Sequence, residues 1–448
     1  MPLRERAGPG VPARLRGIGK SDVDTRGFDT RDERRSQTRA WVWMVLVALL
    51  LRLVVAGFLY PSHLNPARDY WKYAGEVGRI ARSLVEGQGF SNPLFGNTGP
   101  TAWLTPVFPA LVAGIFKLLG VYTKASLFCI LCADCLFGAL TCIPVYSIAL
   151  HSFGARTALL AGWAWALFPY SIYFSADFIW PTTLATLLLS IAFLLALRLE
   201  GSGNAWEWAS FGAAAGVAAL TDPIVMSVLP VLGAWMCYRR WRRRVPWFWP
   251  ALAAVLVVIA IIAPWTVRNY EVFHKLIALR GNFGFELYCG NNKDDWHWGP
   301  PGYHPSDNEA EWREFQELGE AGYVAEKGRE ARTYIAAHPA QYLMATLRRF
   351  VYIWTGFWSF ERRYLVEEPF DPANVFFCTG FTLMGFLGLW RSWREDANLA
   401  VPYLLVFLFF PIIYYLTHPE DYHRRPIDPM MVVLGAYAFT AWREARAR

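Results

Sequence analysis

The stretch "WVWMVLVALLLRLVVAGFLY", residues 41–60, carries one charge in twenty residues. A helix rises about 1.5 Å per residue, so roughly 20 apolar residues cross the ~30 Å hydrocarbon core of a bilayer. Comparable runs recur near 125–150, 156–174, 178–198, 206–220, 222–238, 247–266, 373–391, 399–416 and 427–443. Backbone groups in lipid must bond among themselves, which leaves only helices and closed barrels, and runs this long select helices. The chain is therefore expected to be an all-α polytopic membrane protein with about ten (10–12) transmembrane helices. Charged residues make up only 18% of it, against about 25% in a typical soluble chain. The 22 Trp and 21 Tyr suit the two membrane–water interfaces.

Lys and Arg collect on the cytoplasmic side of a membrane protein, so the short loops test the threading. Residues 1–39 hold ten Arg or Lys against six acids, with no apolar periodicity, and read as a disordered basic cytoplasmic tail. Counting from there, "HSFGAR" (151–156), "RRWRRR" (239–244), "RSWRED" (391–396) and the C-terminal "WREARAR" all fall inside. Both termini are then cytoplasmic. Two further stretches break this agreement if either is counted alone. Residues 105–121 are short, and 340–359 carry Arg348 and Arg349 at their centre, where each charge costs about 3 kcal/mol or more. Both are read as helices lying on the outer surface.

This threading divides the chain into the tail, a seven-helix membrane module over 40–266, a large outer loop over 267–372, and C-terminal membrane helices over 373–448. The first outer loop, 61–124, interrupts the module after its first helix. Nearly all polar mass outside the spans lies on the outer face, so chemistry is expected there. Six of the seven cysteines sit in apolar runs and Cys289 stands alone in a polar segment, which argues against disulfides. Cys129, Cys132 and Cys135 read as small residues on a packed helix face rather than as metal ligands.

Asp69 follows the first span within "HLNPARDYWKYAGEV" (63–77), flanked by Arg68, Tyr70 and Tyr73. Its plain role is to open a surface helix over 69–86, stopped by Gly87 and Gly89. Its sharper role is to bind a proton or a metal beside a cavity at the membrane edge. Asp177 in "SADF" and Asp222 in "TDP" occupy tight outer turns; each is a helix cap on the plain reading and a site acid on the sharper one. Arg268 ends the seventh span, where it either anchors the aromatic belt or clamps a phosphate. Tyr422, Arg424 and Arg425 lie in "DYHRRPIDP". Two adjacent arginines on the outside run against the charge trend and call for an anion, either lipid headgroups or a bound lipid phosphate. Arg52 and Asp134 lie at equal depth in neighbouring spans, about 12 and 15 Å from the outer end at 1.5 Å per residue, which predicts a structural ion pair.

Several stretches carry a resemblance: "RDYWKYA", "PTAWLTPVFPALVAGIFKLLG", "HSFGARTALLAGWAWALFP" leading to "SADF", "PWTVRNY", "FELYCGNN" and "HRRPIDP". In their order and spacing they resemble the GT-C superfamily of lipid-dependent glycosyltransferases. Within it the chain is most similar to bacterial family 39, which includes relatives of protein O-mannosyltransferases and of the lipid A aminoarabinose transferase. The resemblance implies a GT-C fold and a polyprenyl-phosphate-linked sugar as donor. It further implies inverting transfer on the outer face of the bacterial inner membrane, to a protein, lipid or glycan acceptor. It makes Asp69 the catalytic carboxylate, Asp177 the second acidic position, and Arg268 the contact to the donor phosphate. Arg68, Tyr70, Tyr73, Asp222, Asn291 and Tyr422 become candidate donor or acceptor contacts. Relatives often read "TRP" where this chain has "TDP", and often carry a second acid where Arg68 and Tyr70 flank Asp69. The second departure weakens the case for a divalent metal.

A transporter or flippase of a lipid-linked sugar is the rival reading. Transporters usually show internal repeats and broken spans near the midplane. No similarity between the two halves is visible, and the polar mass is one-sided. A scaffold binding a partner through 267–372 leaves the acids and arginines without a task. No feature suggests nucleic acid.

Overall fold

The computed structural model describes residues 30–64, 74–292, 302–359, 362, 371–420 and 422–447. Arg68, Asp69, Tyr70 and Tyr73 lie outside the described residues. Contacts divide the chain into Met1–Ala40 and Trp41–Arg448.

Among the described residues the chain is helical, with one isolated bridge between Ser91 and Pro100 in place of any strand. Helix α1 covers Thr30–Leu59, and a 3-10 turn, Tyr60–Leu64, follows it. Next come α2 (Gly75–Val85), α3 (Val107–Leu119), α4 (Lys124–Leu140), α5 (Cys142–Phe153), α6 (Ala155–Ala166), α7 (Pro169–Asp177) and α8 (Thr182–Leu199). After these stand α9 (Ala205–Thr221), α10 (Leu229–Arg242) and α11 (Phe248–Phe273). The second long segment contains α12 (Phe283–Gly290), α13 (Glu309–Ala337) and α14 (Pro339–Thr355). The chain ends with α15 (Asp371–Glu395), α16 (Ala397–Phe409), α17 (Ile412–Leu416) and α18 (Asp428–Ala447).

Every expected span has a helix, but several are broken. Six stretches among the described residues are long and apolar enough to cross a membrane: Ala40–Leu59, Lys124–Phe153, Thr182–Leu199, Phe248–Phe273, Asn374–Glu395 and Ala397–Leu416. The expected span at 156–174 is instead two helices, α6 and α7, because Pro169 cannot continue α6 and biases the residue before it away from helix. The stretch 105–121 forms only the short apolar α3, and 340–359 forms α14, which is not one of the six. The helix expected over 69–86 is described from Gly75, and Gly87, at φ 78°, follows its end.

Close helix contacts rest on glycine. Gly212 and Gly216, four apart on α9, face α11, and a Cβ at Gly212 would run into the Ala254 carbonyl. On α15, a Cβ at Gly388 would run into the carbonyl of Leu434 on α18.

The expected Arg52–Asp134 ion pair does not form. Arg52 is fully buried and donates to Ala48 O (3.0 Å), Ala166 O (3.2 Å), Trp165 O (3.4 Å) and Ser171 Oγ (2.7 Å). The α6–α7 break supplies the physical reason. It removes the i+4 donors of the last α6 carbonyls, leaving Trp165 O a short-range bond from Phe168 N (3.2 Å), and a cation at that negative helix end adds bonds to Trp165 O and Ala166 O. Asp134 is buried with no hydrogen bond to either carboxylate oxygen.

Candidate functional site

The two long segments meet at the sequence Thr101–Ala102–Trp103, which is held from four elements. Glu320 on α13 accepts the Thr101 hydroxyl (2.5 Å) and the Ala102 N–H (2.7 Å). Gly281 N donates to Ala102 O (2.8 Å), and Arg280 Nε donates to Trp103 O (2.8 Å). Trp103 is buried and gives its Nε1–H to Glu76 Oε1 on α2 (2.7 Å). His304 Nε2 lies 3.0 Å from the same oxygen. Burial alone would raise the Glu76 carboxyl. The His304 bond, with Arg280 and Arg79 nearby, more than offsets it, and Glu76 titrates below the usual range.

Arg268 belongs to this clasp. It sits at the end of α11 and donates Nη1 to Thr101 O (2.6 Å) and Asn269 Oδ1 (3.0 Å), and Nη2 to Phe90 O (2.7 Å). Its guanidinium also lies 5.1 Å from the Trp265 ring. The cation that resemblance assigns to the donor phosphate thus has both terminal nitrogens committed to the protein.

Arg280 differs. Its Nη2 donates to Glu286 Oε1 (2.9 Å) and its Nε to Trp103 O, while Nη1 has no hydrogen bond to the described residues. Glu286 on α12 also accepts Asn282 Nδ2 (2.7 Å), and its second oxygen stands 3.0 Å from His418 Nε2. All three charged or titratable partners stay partly open to solvent: Arg280 at 27%, Glu286 at 25% and His418 at 15%. The charge of Arg280 reaches Asp222, Tyr414, Tyr422 and His423. His423 stacks on Tyr414 (4.1 Å) and meets Tyr422 edge-on (4.5 Å). Tyr422 in turn lies 4.8 Å from Phe178, the residue after Asp177. Burial lowers both imidazoles; at His418 Glu286 opposes the shift while Arg349 and Arg280 add to it, and at His423 the neighbouring His418 and Arg280 add to it. At neutral pH the imidazoles and phenols of the cluster are neutral, and Arg280 and Arg349 supply positive charge beside them, with carboxylates close by. Such a set can hold an anionic group and accept or pass on a proton.

Of the residues singled out in the sequence, Asp222 and Tyr422 lie in this cluster, and Asp177 adjoins it through Phe178. Asp222 also caps the 3-10 turn Pro223–Ser227. Asn291 lies outside the cluster. It donates to Leu287 O and Leu416 O and accepts from the buried Arg349, so it clips α12 to the turn before His418. Arg424 and Arg425 are buried on Asp428, at 3.1 and 2.8 Å, and Arg425 covers the Tyr170 ring at 4.0 Å. The anion these two arginines call for is on the protein itself. Arg425 and Asp428 border a cavity of about 20 Å3, room for about one water, also lined by Thr141, Ser171 and Thr182. Among the described residues no three His, Cys, Asp or Glu side chains gather as a metal site would need.

Arg280, Glu286, His418, His63, Glu76 and His304 drew no attention in the sequence. Arg280 stands alone between an apolar stretch and Gly281, and nearness to a span ranked Arg268 above it. Glu286 lies within "FELYCGNN", one of the stretches that carry the resemblance, and was the available signal.

Residues 103–267 match the family model described as dolichyl-phosphate-mannose-protein mannosyltransferase. Among solved structures, the oligosaccharyltransferase of Archaeoglobus fulgidus in complex with Zn and sulfate matches with a TM-score of 0.54 and 13% identity, over 91% of this chain and 49% of that one. Its apo form gives 0.51 and 14%, over 90% and 51%. ArnT from Cupriavidus metallidurans in the apo state gives 0.50 and 16%, over 91% and 62%. The chain spans about half the length of the oligosaccharyltransferase it matches. No curated protein sequence matches it. At these identities the likeness to the solved structures is one of fold, and the family match covers residues 103–267.

Proposed function

We propose that the protein is a glycosyltransferase that moves a sugar from a polyprenyl-phosphate donor to an acceptor hydroxyl. The reaction takes place on the outer face of a bacterial inner membrane, with both termini in the cytoplasm. The observation that carries this reading is Arg280, whose Nη1 is unbonded to the described residues in a partly open cluster of neutral rings and carboxylates, whereas the other cation beside His418, Arg349, donates to Tyr415 O, Leu416 O and Asn291 Oδ1. A leaving phosphate needs a fixed cation, and a guanidinium held by Glu286 and the Trp103 carbonyl is already oriented before the substrate arrives. The donor-phosphate contact expected of Arg268 passes to Arg280 in this reading, and Arg268 keeps the two segments together.

Asp69 remains the proposed base. The described residues before and after it in sequence are tied down at His63, which meets Asp177, and at Glu76, which meets Trp103 and His304. The acceptor oxygen attacks the anomeric carbon in line with the departing phosphate. Its proton passes to the Asp69 carboxylate, and the electron pair of the broken C–O bond stays on the phosphate beside Arg280. Tyr422, Asp222 and Asp177 line the approach, and Arg68, Tyr70 and Tyr73 flank the base in sequence. The family match, described by a dolichyl-phosphate sugar donor and a protein acceptor, supports the donor class and makes a peptide hydroxyl a reasonable first acceptor to try.

The test is to incubate purified protein with a panel of polyprenyl-phosphate sugars and measure release of polyprenyl phosphate. Asp69→Asn is expected to abolish release while leaving donor binding largely intact. Release at the wild-type rate in that variant would remove Asp69 from the reaction.

A further inference from the structure

Asp177 is the last residue of α7, and a carboxylate there faces the negative end of the helix dipole. The position is unfavourable without a group facing the carboxylate. That group is His63, whose Nε2 lies 3.0 Å from Asp177 Oδ1, with the imidazole 10% exposed and the carboxylate 24%. The contact is within ion-pair range but Nε2 is off-line for a hydrogen bond. His63 belongs to the 3-10 turn that follows α1, the point from which the chain runs on to Asp69. That turn is itself pinned: the Tyr60 hydroxyl donates to Lys124 O (3.2 Å), and its ring meets Phe128 edge-on at 6.2 Å. On the other side, Phe178 carries the α7–α8 turn against Tyr422. Oδ2 of Asp177 makes no hydrogen bond to the described residues, so one oxygen faces the imidazole and the other is open to a hydroxyl.

We propose that His63 is a positioning residue. It holds Asp177 Oδ1 so that Oδ2 is aimed to receive a substrate hydroxyl, and it ties the 3-10 turn after α1 to the α7–α8 turn that meets Tyr422. This rests on the glycosyl-transfer reading. His63 does not touch the reacting atoms; it acts through Asp177.

The geometry makes the test specific, because contact is made by the far ring nitrogen. A Gln amide nitrogen reaches the place of Nε2, whereas Asn stops short at the place of Nδ1. His63→Ala and His63→Asn are expected to lower turnover about tenfold with the KM for donor little changed. His63→Gln is expected to recover most of that loss, and adding His63→Ala to Asp177→Asn should cost little more. Equal turnover in all three His63 variants, or losses at the two positions that simply multiply, would overturn the proposal. A second measurement needs no activity: melting temperatures in detergent for His63→Ala, Asp177→Asn and the double variant. Shifts smaller in the double variant than their sum support the pairing, and additive shifts refute it. If the wild type releases no polyprenyl phosphate from any donor, the functional reading fails while this cycle still decides whether His63 holds Asp177.

Discussion

Glu286 Oε2 and His418 Nε2 stand 3.0 Å apart although 132 residues separate them in the chain. The contact joins the second long segment to the turn between α17 and α18. Through the other oxygen of Glu286 it reaches Arg280. One carboxylate thus fixes a cation and an imidazole in the same cluster.

Arg280→Ala is expected to reduce turnover by about a hundredfold or more, the scale of losing one preorganised charge at a developing anion. Arg280→Lys should restore only part, because an ammonium cannot keep both the Trp103 carbonyl and Glu286 while facing a phosphate. Steady-state kinetics against the donor checks both. Near wild-type rates for Arg280→Ala would exclude it from the site.

Arg268→Ala is expected to act differently, lowering the melting temperature through loss of the bonds to Thr101 and Phe90. Hydrogen bonds to a charged group contribute about 1.5–3 kcal/mol each. Thermal unfolding in detergent measures it. A variant of unchanged stability but lost donor binding would return the phosphate contact to Arg268.

Glu320 links stability to pH. Burial raises its carboxyl to about 7 from 4.5, against the opposing bonds from Thr101 and Ala102 and the charge of Arg268. The folded state therefore keeps a proton between about 4.5 and 7 that the unfolded chain gives up. Stability should rise as pH falls through that window and level off below it, by on the order of 3 kcal/mol. Glu320→Gln is expected to flatten this dependence and to be more stable than wild type at pH 8. Parallel melting curves across pH 5–8 for both proteins would contradict the assignment.

Asp134→Asn and Asp134→Leu are expected to be tolerated or stabilising, by about 1–3 kcal/mol, because a buried carboxylate without a partner is costly to keep. Arg52→Leu is expected to destabilise by about 3 kcal/mol or more, since it removes the charged donor from Ala166 O, Trp165 O and Ser171 Oγ. Melting temperatures of the three variants check the contrast. Equal losses at both positions would restore the direct ion pair.

Gly388→Ala is expected to lower stability by about 1–3 kcal/mol by forcing α15 away from the Leu434 carbonyl. Gly380→Ala on the same helix, where a Cβ meets nothing within 4 Å, is the control and should be neutral. Comparable losses in the two variants would show that the contact does not set the packing.

Much of this architecture was legible in the residues. Long apolar runs mark the helices because lipid leaves the backbone no other partner, and Pro169 marks the break between α6 and α7. The Arg424–Asp428 and Arg425–Asp428 pairs stand at i, i+4 and i, i+3, a spacing readable on any helix start. The expectation of a lipid phosphate overlooked it. The Gly212–Gly216 spacing on α9 was readable in the same way.

What the amino-acid order determined by itself was the solvent each segment lives in, since transfer between water and hydrocarbon is a sum over local residues. Partnership among charges is not such a sum. Arg268 and Arg280 are both cations near one membrane edge, and only the folded chain commits the first to carbonyls of the opposite segment and leaves the second a free nitrogen. Arg52 likewise chose carbonyls released by a helix break over a carboxylate at its own depth. Hydrogen bonds are directional and act over about 3 Å, so which groups meet is decided by tertiary geometry alone.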